Sequence, residues 1–273
     1  ITFISPSNIS PEFEHNVISI GISFESQIKS LVKFISNQKK NKTVILIPKN
    51  NYTNLIEEKL DKLGLKEYKT FKYNPDPKIL TGEIEILTNY SQRKKNLELR
   101  KKMFEDKEDE ESKRQLEKLE QKYTLGDVSF DSVIIIDFGS SLKSVLTSLI
   151  FTDVDQEKVL FTTVNQWFDE SIFYENTVKN LYYPSVNYKE FKRYKNNYFK
   201  TFDNFPSEIT ILAYDALGLI YYVWKKNGKI TSINDFSFKG KIKGKIGTFS
   251  FSNREIIQDL NIYKAENNQF KKF

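Results

Sequence analysis

Short apolar runs of strand length recur along the first two thirds of the chain. Three of them are rich in β-branched residues: Thr43–Pro48 (TVILIP), 132–137 (SVIIID) and 158–163 (KVLFTT). The first two are apolar at consecutive positions, which is typical of strands covered on both faces in a parallel sheet. A weaker candidate strand, Lys69–Tyr73, lies between them. The pattern therefore predicts four strands, with a parallel sheet at their centre.

Segments with helical periodicity fill the gaps between these strands. The first has Ser23 as a candidate cap and Glu25 near the positive end of the helix dipole. The second stops at Gly64, where glycine commonly ends a helix. The apolar positions are Phe24, Ile28, Leu31, Val32 and Ile35 in the first, Leu55, Ile56, Leu60 and Leu63 in the second, and Leu142, Val145, Leu146 and Leu149 in the third. This alternation predicts a right-handed, doubly wound α/β domain over residues 23–185.

A highly charged segment interrupts the alternation. Residues 93–122 contain 11 basic and 9 acidic residues among 30 positions, and no apolar side chain occurs between Phe104 and Leu116. We interpret the segment as a solvated helix or helical hairpin with mixed charge pairs. The alternative is an arm that docks a partner.

The last third of the chain is aromatic. Phe191, Tyr194, Tyr198 and Phe202 follow helical spacing, which favours core packing over a platform that stacks nucleobases. An apolar helix is expected over 208–224, and a final strand over 255–263.

Composition narrows the function classes. The 273 residues are enough for two domains; they include no cysteine and one histidine, His15. No run approaches the ~18 apolar residues of a membrane span, and the first residues show no signal peptide. The net charge is +6, but only five of the 42 basic residues are arginine. We therefore attribute the charge to compositional bias, with no nucleic acid as partner.

No catalytic set emerges from the motifs. A Ser/His/Asp triad would have to use His15, and the phosphate-loop-like run at 240–248 (GKIKGKIGT) has the wrong spacing and precedes a strand. The turns after the predicted strands lack the glycine fingerprint of a nucleotide-binding enzyme. The sequence predicts no enzyme activity, no cofactor and no metal, and it favours a binding or regulatory protein.

The order of five motifs resembles that of the type 1 periplasmic binding protein superfamily, whose members include Leu/Ile/Val-binding proteins. Within it, the chain is most similar to the LppC-type branch of penicillin-binding-protein activators. The motifs are ISPSNISPEF (4–13), KTVILIPKNNY (42–52), LFTTVNQWFDESIF (160–173), FPSEITILAYDALGLIYYVW (205–224) and KGKIGTFSFSNREIIQDLNIYKAENNQF (243–270).

The resemblance implies an α/β fold with doubly wound parallel sheets in two lobes joined by a hinge. Residues 1–22 and 188–250 would form part of the first lobe. Residues 23–187 would form the second lobe, with a charged helical insertion at about 90–123. Residues 251–273 would be terminal strands near the hinge and second lobe. The family's opening βα units have no counterpart here, so the N-terminal part of the first lobe is expected to be missing.

The resemblance also implies a ligand site in the cleft between the lobes. Ser5, Ser7 and Asn8 match the loop that binds a substrate carboxylate, although Ile9 replaces its threonine.

Further along the chain, Tyr52 matches a tyrosine that packs over the ligand. Where amino-acid-binding relatives have an acidic residue for the α-ammonium group, this chain has Asn165, Gln166 and Trp167, of which Gln166 and Trp167 are candidate ligand contacts. Ordinary packing is the alternative role for Tyr52 and Trp167.

The predicted function is that of a non-enzymatic binding or regulatory protein, similar to activators of peptidoglycan synthases. Its partner would be such a synthase, and it would be periplasmic or anchored in the outer membrane facing the periplasm, with a lipid anchor upstream of Ile1. The alternative is the solute-binding component of an ABC importer for a small, polar, amino-acid-like ligand held in the cleft.

Overall fold

The computed structural model describes residues 2–6, 16–174, 180–237, 240–245, 247–252, 255–266 and 268–273. The chain divides into two compact units. Unit 1 comprises Ile1–Phe34, Val164–Glu170 and Tyr182–Phe273, and unit 2 comprises Ile35–Thr163 and Ser171–Leu181. None of the helices in these described ranges combines the length and apolar character needed to cross a bilayer.

The first half of the chain begins with two short strands and then alternates helices with strands. In chain order the elements are β1 (Phe3–Ser5), β2 (Val17–Ser19), α1 (Phe24–Asn37), β3 (Thr43–Pro48), α2 (Thr53–Lys62), β4 (Lys69–Tyr73), α3 (Pro77–Leu87), α4 (Tyr90–Glu105), α5 (Glu110–Glu120) and β5 (Ser132–Ile135).

The second half ends in a run of strands. Its elements are α6 (Gly139–Phe151), β6 (Leu160–Thr163), a 3-10 helix (Glu170–Tyr174), β7 (Leu181–Ser185), α7 (Tyr188–Phe202), α8 (Glu208–Asn227), a 3-10 helix (Ile233–Phe236), β8 (Lys241–Gly244), β9 (Gly247–Ser252), β10 (Glu255–Gln258), β11 (Asn261–Glu266) and β12 (Gln269–Lys272).

The parallel strands of unit 2 confirm the prediction from the apolar runs. Strand β3 pairs in parallel with β4 and β5, and β5 pairs in parallel with β6. Every residue of β3 and β5 is buried, as consecutive apolar positions require in a sheet covered on both faces. The strands of unit 2 follow the order β6-β5-β3-β4, and in unit 1 β11 is antiparallel to β7 and β12.

The predicted helix ends agree with the structure. Ser23 Oγ accepts the N–H of Ser26 at 3.2 Å, so it caps the start of α1 as expected. Gly64, with φ of +76°, follows α2, and its N–H donates to the Asp61 carbonyl at 3.0 Å. A left-handed residue at this position ends the helix and satisfies its last carbonyls.

The charged segment forms α4 and α5, and one of its basic side chains is not solvated. Arg93 is 7% exposed. Its guanidinium donates to the carbonyls of Gly126 (2.9 Å), Thr152 (3.0 Å) and Asp153 (2.7 Å), and to Thr124 Oγ1 (2.8 Å). The segment forms two helices, in keeping with the helical interpretation, but Arg93 at its start is not solvated and fastens α4 to two loops of the same unit.

Unit 1 contains a five-stranded sheet in the order β1-β2-β10-β9-β8. Strands β1, β2 and β10 are parallel, whereas β9 is antiparallel to both of its neighbours. Helix α8 packs against this sheet, and its Leu219 and Val223 join Ile18, Phe249 and Ile256 in one core. The helix ends at Asn227, before Gly228 with φ of +73°.

Two expectations about the last third of the chain need correction. The strand expected over 255–263 is two strands, β10 and β11, which belong to different sheets. The aromatic stripe of α7 is helical, but within it Phe191 is buried whereas Phe202 is 62% exposed. Core packing therefore explains Phe191 and not the whole stripe.

Candidate functional site

Unit 2 presents Tyr52 at the carboxyl end of strand β3. The turn that carries it is fixed by Thr53, whose Oγ1 donates to the Pro48 carbonyl at 2.9 Å and accepts the N–H of Asn50 at 2.8 Å. The N–H of Tyr52 donates to Asn50 Oδ1 at 2.8 Å. Tyr52 is 60% exposed, so core packing does not explain it. Its predicted role as a ligand contact stays a prediction.

A buried carboxylate lies at the same end of the sheet and was missed by the sequence reasoning. Asp137 follows β5 and accepts hydrogen bonds from the Tyr73 hydroxyl, from Ser141 Oγ (2.5 Å) and from the Phe138 N–H (2.8 Å). Burial raises the pKa of Tyr73 far above its usual range, and the charge of Asp137 raises it further. Tyr73 is thus a permanent donor, and Asp137 orients the start of α6 rather than acting as a free base.

In unit 1, Ser5 ends strand β1 and is partly buried, and its carbonyl accepts the N–H of Ile20 at 2.8 Å. Its predicted companions, Ser7 and Asn8, lie outside the described residues, as does His15. The predicted carboxylate-binding loop therefore remains an expectation.

Gln166 and Trp167 belong to unit 1 and follow strand β6. Gln166 is 7% exposed and its Nε2 donates to the Val164 carbonyl at 3.1 Å. The ring of Trp167 packs against Phe191 with 6.3 Å between centroids. Both Trp167 and Phe168 have positive φ, +51° and +58°, a backbone conformation that bulky residues rarely adopt. Such strain is held in place by its surroundings and clusters at functional loops.

Buried amides surround this loop, again within unit 1. The N–H of Asn165 donates to Gln27 Oε1 at 2.8 Å, and Gln27 Nε2 donates to the Ile22 carbonyl at 2.7 Å. The N–H of Gln258 donates to Ser26 Oγ at 3.1 Å. Asn165 Nδ2 and both side-chain polar atoms of Gln258 are buried without a hydrogen-bond partner among the described residues.

The chemistry of this amide cluster is neutral hydrogen bonding. An unpaired buried polar atom costs about 1–3 kcal/mol, so these atoms are expected to gain from a polar group such as a bound water or a neutral solute. No group of three or more histidine, aspartate or glutamate side chains converges in a way that could hold a metal ion within the described ranges. The sequence signal for the cluster was limited to Asn165 and Gln166 after a buried strand.

The fold is that of the type 1 periplasmic binding proteins, as expected. The chain resembles a substrate-binding protein of an ABC transporter from Desulfitobacterium hafniense, solved with Leu, at 15% identity and a TM-score of 0.62, covering 100% of this chain and 73% of that one. It also resembles the leucine-binding protein LivK of Thermotoga maritima, at 10% identity and a TM-score of 0.63, covering 100% and 72%.

The solved structures of similar fold also include a protein of the LppC-type branch. The C-domain of LpoA from Haemophilus influenzae, described as a regulator of PBP1A, is similar at 10% identity and a TM-score of 0.54, covering 99% of this chain and 73% of that one. No protein-family model matches the sequence, and no curated protein matches it at a significant level.

Proposed function

We propose that the chain is a non-enzymatic, envelope-located regulatory protein that acts by contacting a peptidoglycan synthase. The proposal includes a periplasmic location, or an anchored one facing the periplasm. The fold supports it, because a regulator of PBP1A shares that fold.

The observation that carries the proposal is the neutral run Asn165-Gln166-Trp167 after β6; the nearest carboxylates in sequence, Asp169 and Glu170, are exposed. Amino-acid-binding relatives are expected to place a carboxylate there, but this chain has Asn165, Gln166 and Trp167. Both amides are buried, and Gln166 is turned toward a backbone carbonyl. An α-ammonium group bound at these three residues would lack its charge-assisted hydrogen bond.

A solute-binding role in an ABC importer is the second candidate. It is favoured by Tyr52, which is 60% exposed at the carboxyl edge of a parallel sheet, where ligands of open α/β sheets commonly bind. A neighbour of similar fold was solved with Leu. A neutral polar solute is more compatible with the buried amides than an amino acid is.

Two measurements distinguish these functions. Co-purification with the peptidoglycan synthase of the source organism at low salt is expected to recover a complex, and its failure would contradict the regulatory role. A thermal-shift screen with amino acids and neutral solutes should leave Tm unchanged for a regulator. A dose-dependent rise in Tm would instead support the importer role, because a ligand stabilises the state it binds.

A further inference from the structure

Unit 1 encloses two side-chain amides whose hydrogen-bonding capacity its own described residues leave unused. Asn165 is 2% exposed and Gln258 is 6% exposed. Asn165 Nδ2, Gln258 Nε2 and Gln258 Oε1 have no hydrogen-bond partner among the described residues. These three atoms therefore present two donor nitrogens and one acceptor oxygen, all shielded from bulk solvent. Buried amides are almost always paired with protein groups or with ordered water, so the cluster indicates a bound polar group.

The unpaired atoms do not result from the way the two amides are oriented. Asn165 Oδ1 accepts the N–H of Trp167 at 3.2 Å, and exchanging the oxygen and nitrogen of this amide would set an NH2 group against that donor. The orientation of the Asn165 amide is therefore fixed, and Nδ2 is its unpaired end. In Gln258 both ends are unpaired, so exchanging them would leave the same groups without partners.

The first turn of α1 anchors both residues. Ser26 Oγ accepts the N–H of Gln258 at 3.1 Å, and Gln27 Oε1 accepts the N–H of Asn165 at 2.8 Å. Gln27 Nε2 donates to the Ile22 carbonyl at 2.7 Å, so both ends of the Gln27 amide are already engaged. Because consecutive residues of one helix hold the main chains of Asn165 and Gln258, the two unpaired amides extend from anchors that lie close together.

The bound group has to be small, neutral and able both to accept and to donate hydrogen bonds. A charged group would lose its hydration without gaining a counter-charge, because the four residues of the cluster are all neutral. The carbonyl and NH2 groups of one amide diverge, so a single water molecule cannot bond both ends of Gln258 with good geometry. A buried water typically makes about three hydrogen bonds. The three unpaired atoms therefore suit at least two water molecules that also bond each other.

We propose that the amide cluster binds at least two ordered water molecules, which connect Asn165 to Gln258 and so join the loop after β6 to the end of β10. The water site gives the strained turn at Trp167 and Phe168 a further support, because the Asn165 amide is then held through Oδ1 at one end and through Nδ2 at the other. The site is independent of the proposed regulatory function, since its groups are enclosed within unit 1.

The test combines a high-resolution crystal structure of the intact chain with one substitution. Electron density for at least two waters is expected in the wild type, within about 3.2 Å of Asn165 Nδ2 and of the polar atoms of Gln258. Gln258→Met replaces the amide with an apolar side chain of similar length. If water bonds the amide, the variant leaves that water and Asn165 without a partner, and the urea unfolding midpoint should fall by about 0.3 M or more. If the amide is dry and unpaired, its removal should raise the midpoint.

Gln269→Met is the matched control, because Gln269 also lies on a strand of unit 1 but is exposed, and a midpoint shift below about 0.1 M is expected. A dry cluster in the crystal, together with a higher midpoint for Gln258→Met, would overturn the proposal. A direct hydrogen bond between Asn165 and Gln258 with no water beside it would also overturn it, as would a single water or density for a larger solute retained through purification. The wild-type density separates these cases even if Gln258→Met does not fold.

Discussion

Removal of the Arg93 side chain tests whether the charged segment is a structural part of unit 2. Arg93 begins a segment whose composition suggests a solvated arm, yet its guanidinium is buried. Burial lowers the pKa of Arg93 and the nearby Asp153 carboxylate opposes that shift. Because an arginine keeps its proton even when buried, the group remains a charged donor at any ordinary pH.

The magnitude follows from the four hydrogen bonds that Arg93 donates. Arg93→Ala leaves the carbonyls of Gly126, Thr152 and Asp153 and the Thr124 hydroxyl without this donor. Breaking a buried charged network of this kind typically costs about 3–5 kcal/mol, less than the sum of its separate bonds. With a slope of roughly 3 kcal/mol per molar urea, the unfolding midpoint should fall by about 1–2 M. Arg93→Lys keeps the positive charge but not the planar guanidinium with its several N–H donors, so an intermediate loss of stability is expected.

The assay combines urea unfolding with hydrogen–deuterium exchange. Exchange should accelerate in peptides that contain α4 and residues 124–126 and 152–153. Arg100→Ala is the matched control, because Arg100 lies on the same helix with an exposed guanidinium, 4.9 Å from the centroid of Phe104. A change of about 0.5 kcal/mol or less is expected for this surface position.

Equal amide exchange rates and equal urea unfolding midpoints in Arg93→Ala and Arg100→Ala would refute the reasoning. The charged segment would then be a separable arm, and burial of Arg93 would contribute nothing to unit 2. A loss of protection confined to α5 would also contradict it, since none of the four bonds involves that helix.

Four further substitutions have defined outcomes. Gly244→Ala would place a Cβ against Asp215 Oδ2 and is expected to destabilise unit 1 by about 1–3 kcal/mol in urea unfolding. Gly82→Ala, in open space on α3, should instead stabilise unit 2 by about 0.5–1 kcal/mol. Tyr73→Phe removes a buried donor to Asp137 and should cost about 1–3 kcal/mol, and an unchanged Tm would contradict the network. Burial acts to raise the pKa of Asp131, but hydrogen bonds from the Asn41 and Lys42 amides hold that pKa below its usual value. The ionised carboxylate therefore stabilises the folded state above about pH 4, and this contribution is lost as the pH falls further. Asp131→Asn should therefore reduce the drop in Tm between pH 7 and pH 3, as measured by calorimetry.

The elements that could be predicted are those with a local periodic pattern of apolar residues. Strands β3 and β4 have the predicted bounds, and the helices predicted from apolar stripes begin and end close to where their caps indicated. These features depend on neighbours a few residues apart, which the sequence displays directly. The split between β10 and β11 could not be seen, because the apolar pattern continues through a point where the chain leaves one sheet and enters another.

The buried polar groups could not be predicted for a different reason. Arg93 contacts residues that lie 31 to 60 positions away, and Tyr73 reaches Asp137 across 64 positions. Nothing in the local pattern distinguishes such a side chain from an exposed one. For both Trp167 and Tyr52, the sequence supported packing and ligand contact equally. In the structure Trp167 packs against Phe191, whereas Tyr52 is 60% exposed.

The close approach of Gly244 to Asp215 also constrains how this sequence can change over generations. A Cβ at position 244 would occupy the space of the Asp215 carboxylate and press on Phe249, so position 244 cannot gain a side chain unless these neighbours change, whereas position 215 can become smaller alone. We expect the two to covary among homologous sequences: chains that carry alanine or serine at 244 should carry a smaller residue at 215. Those chains would also lose the acceptor that fixes the turn at Lys245, so a basic residue there should become less frequent.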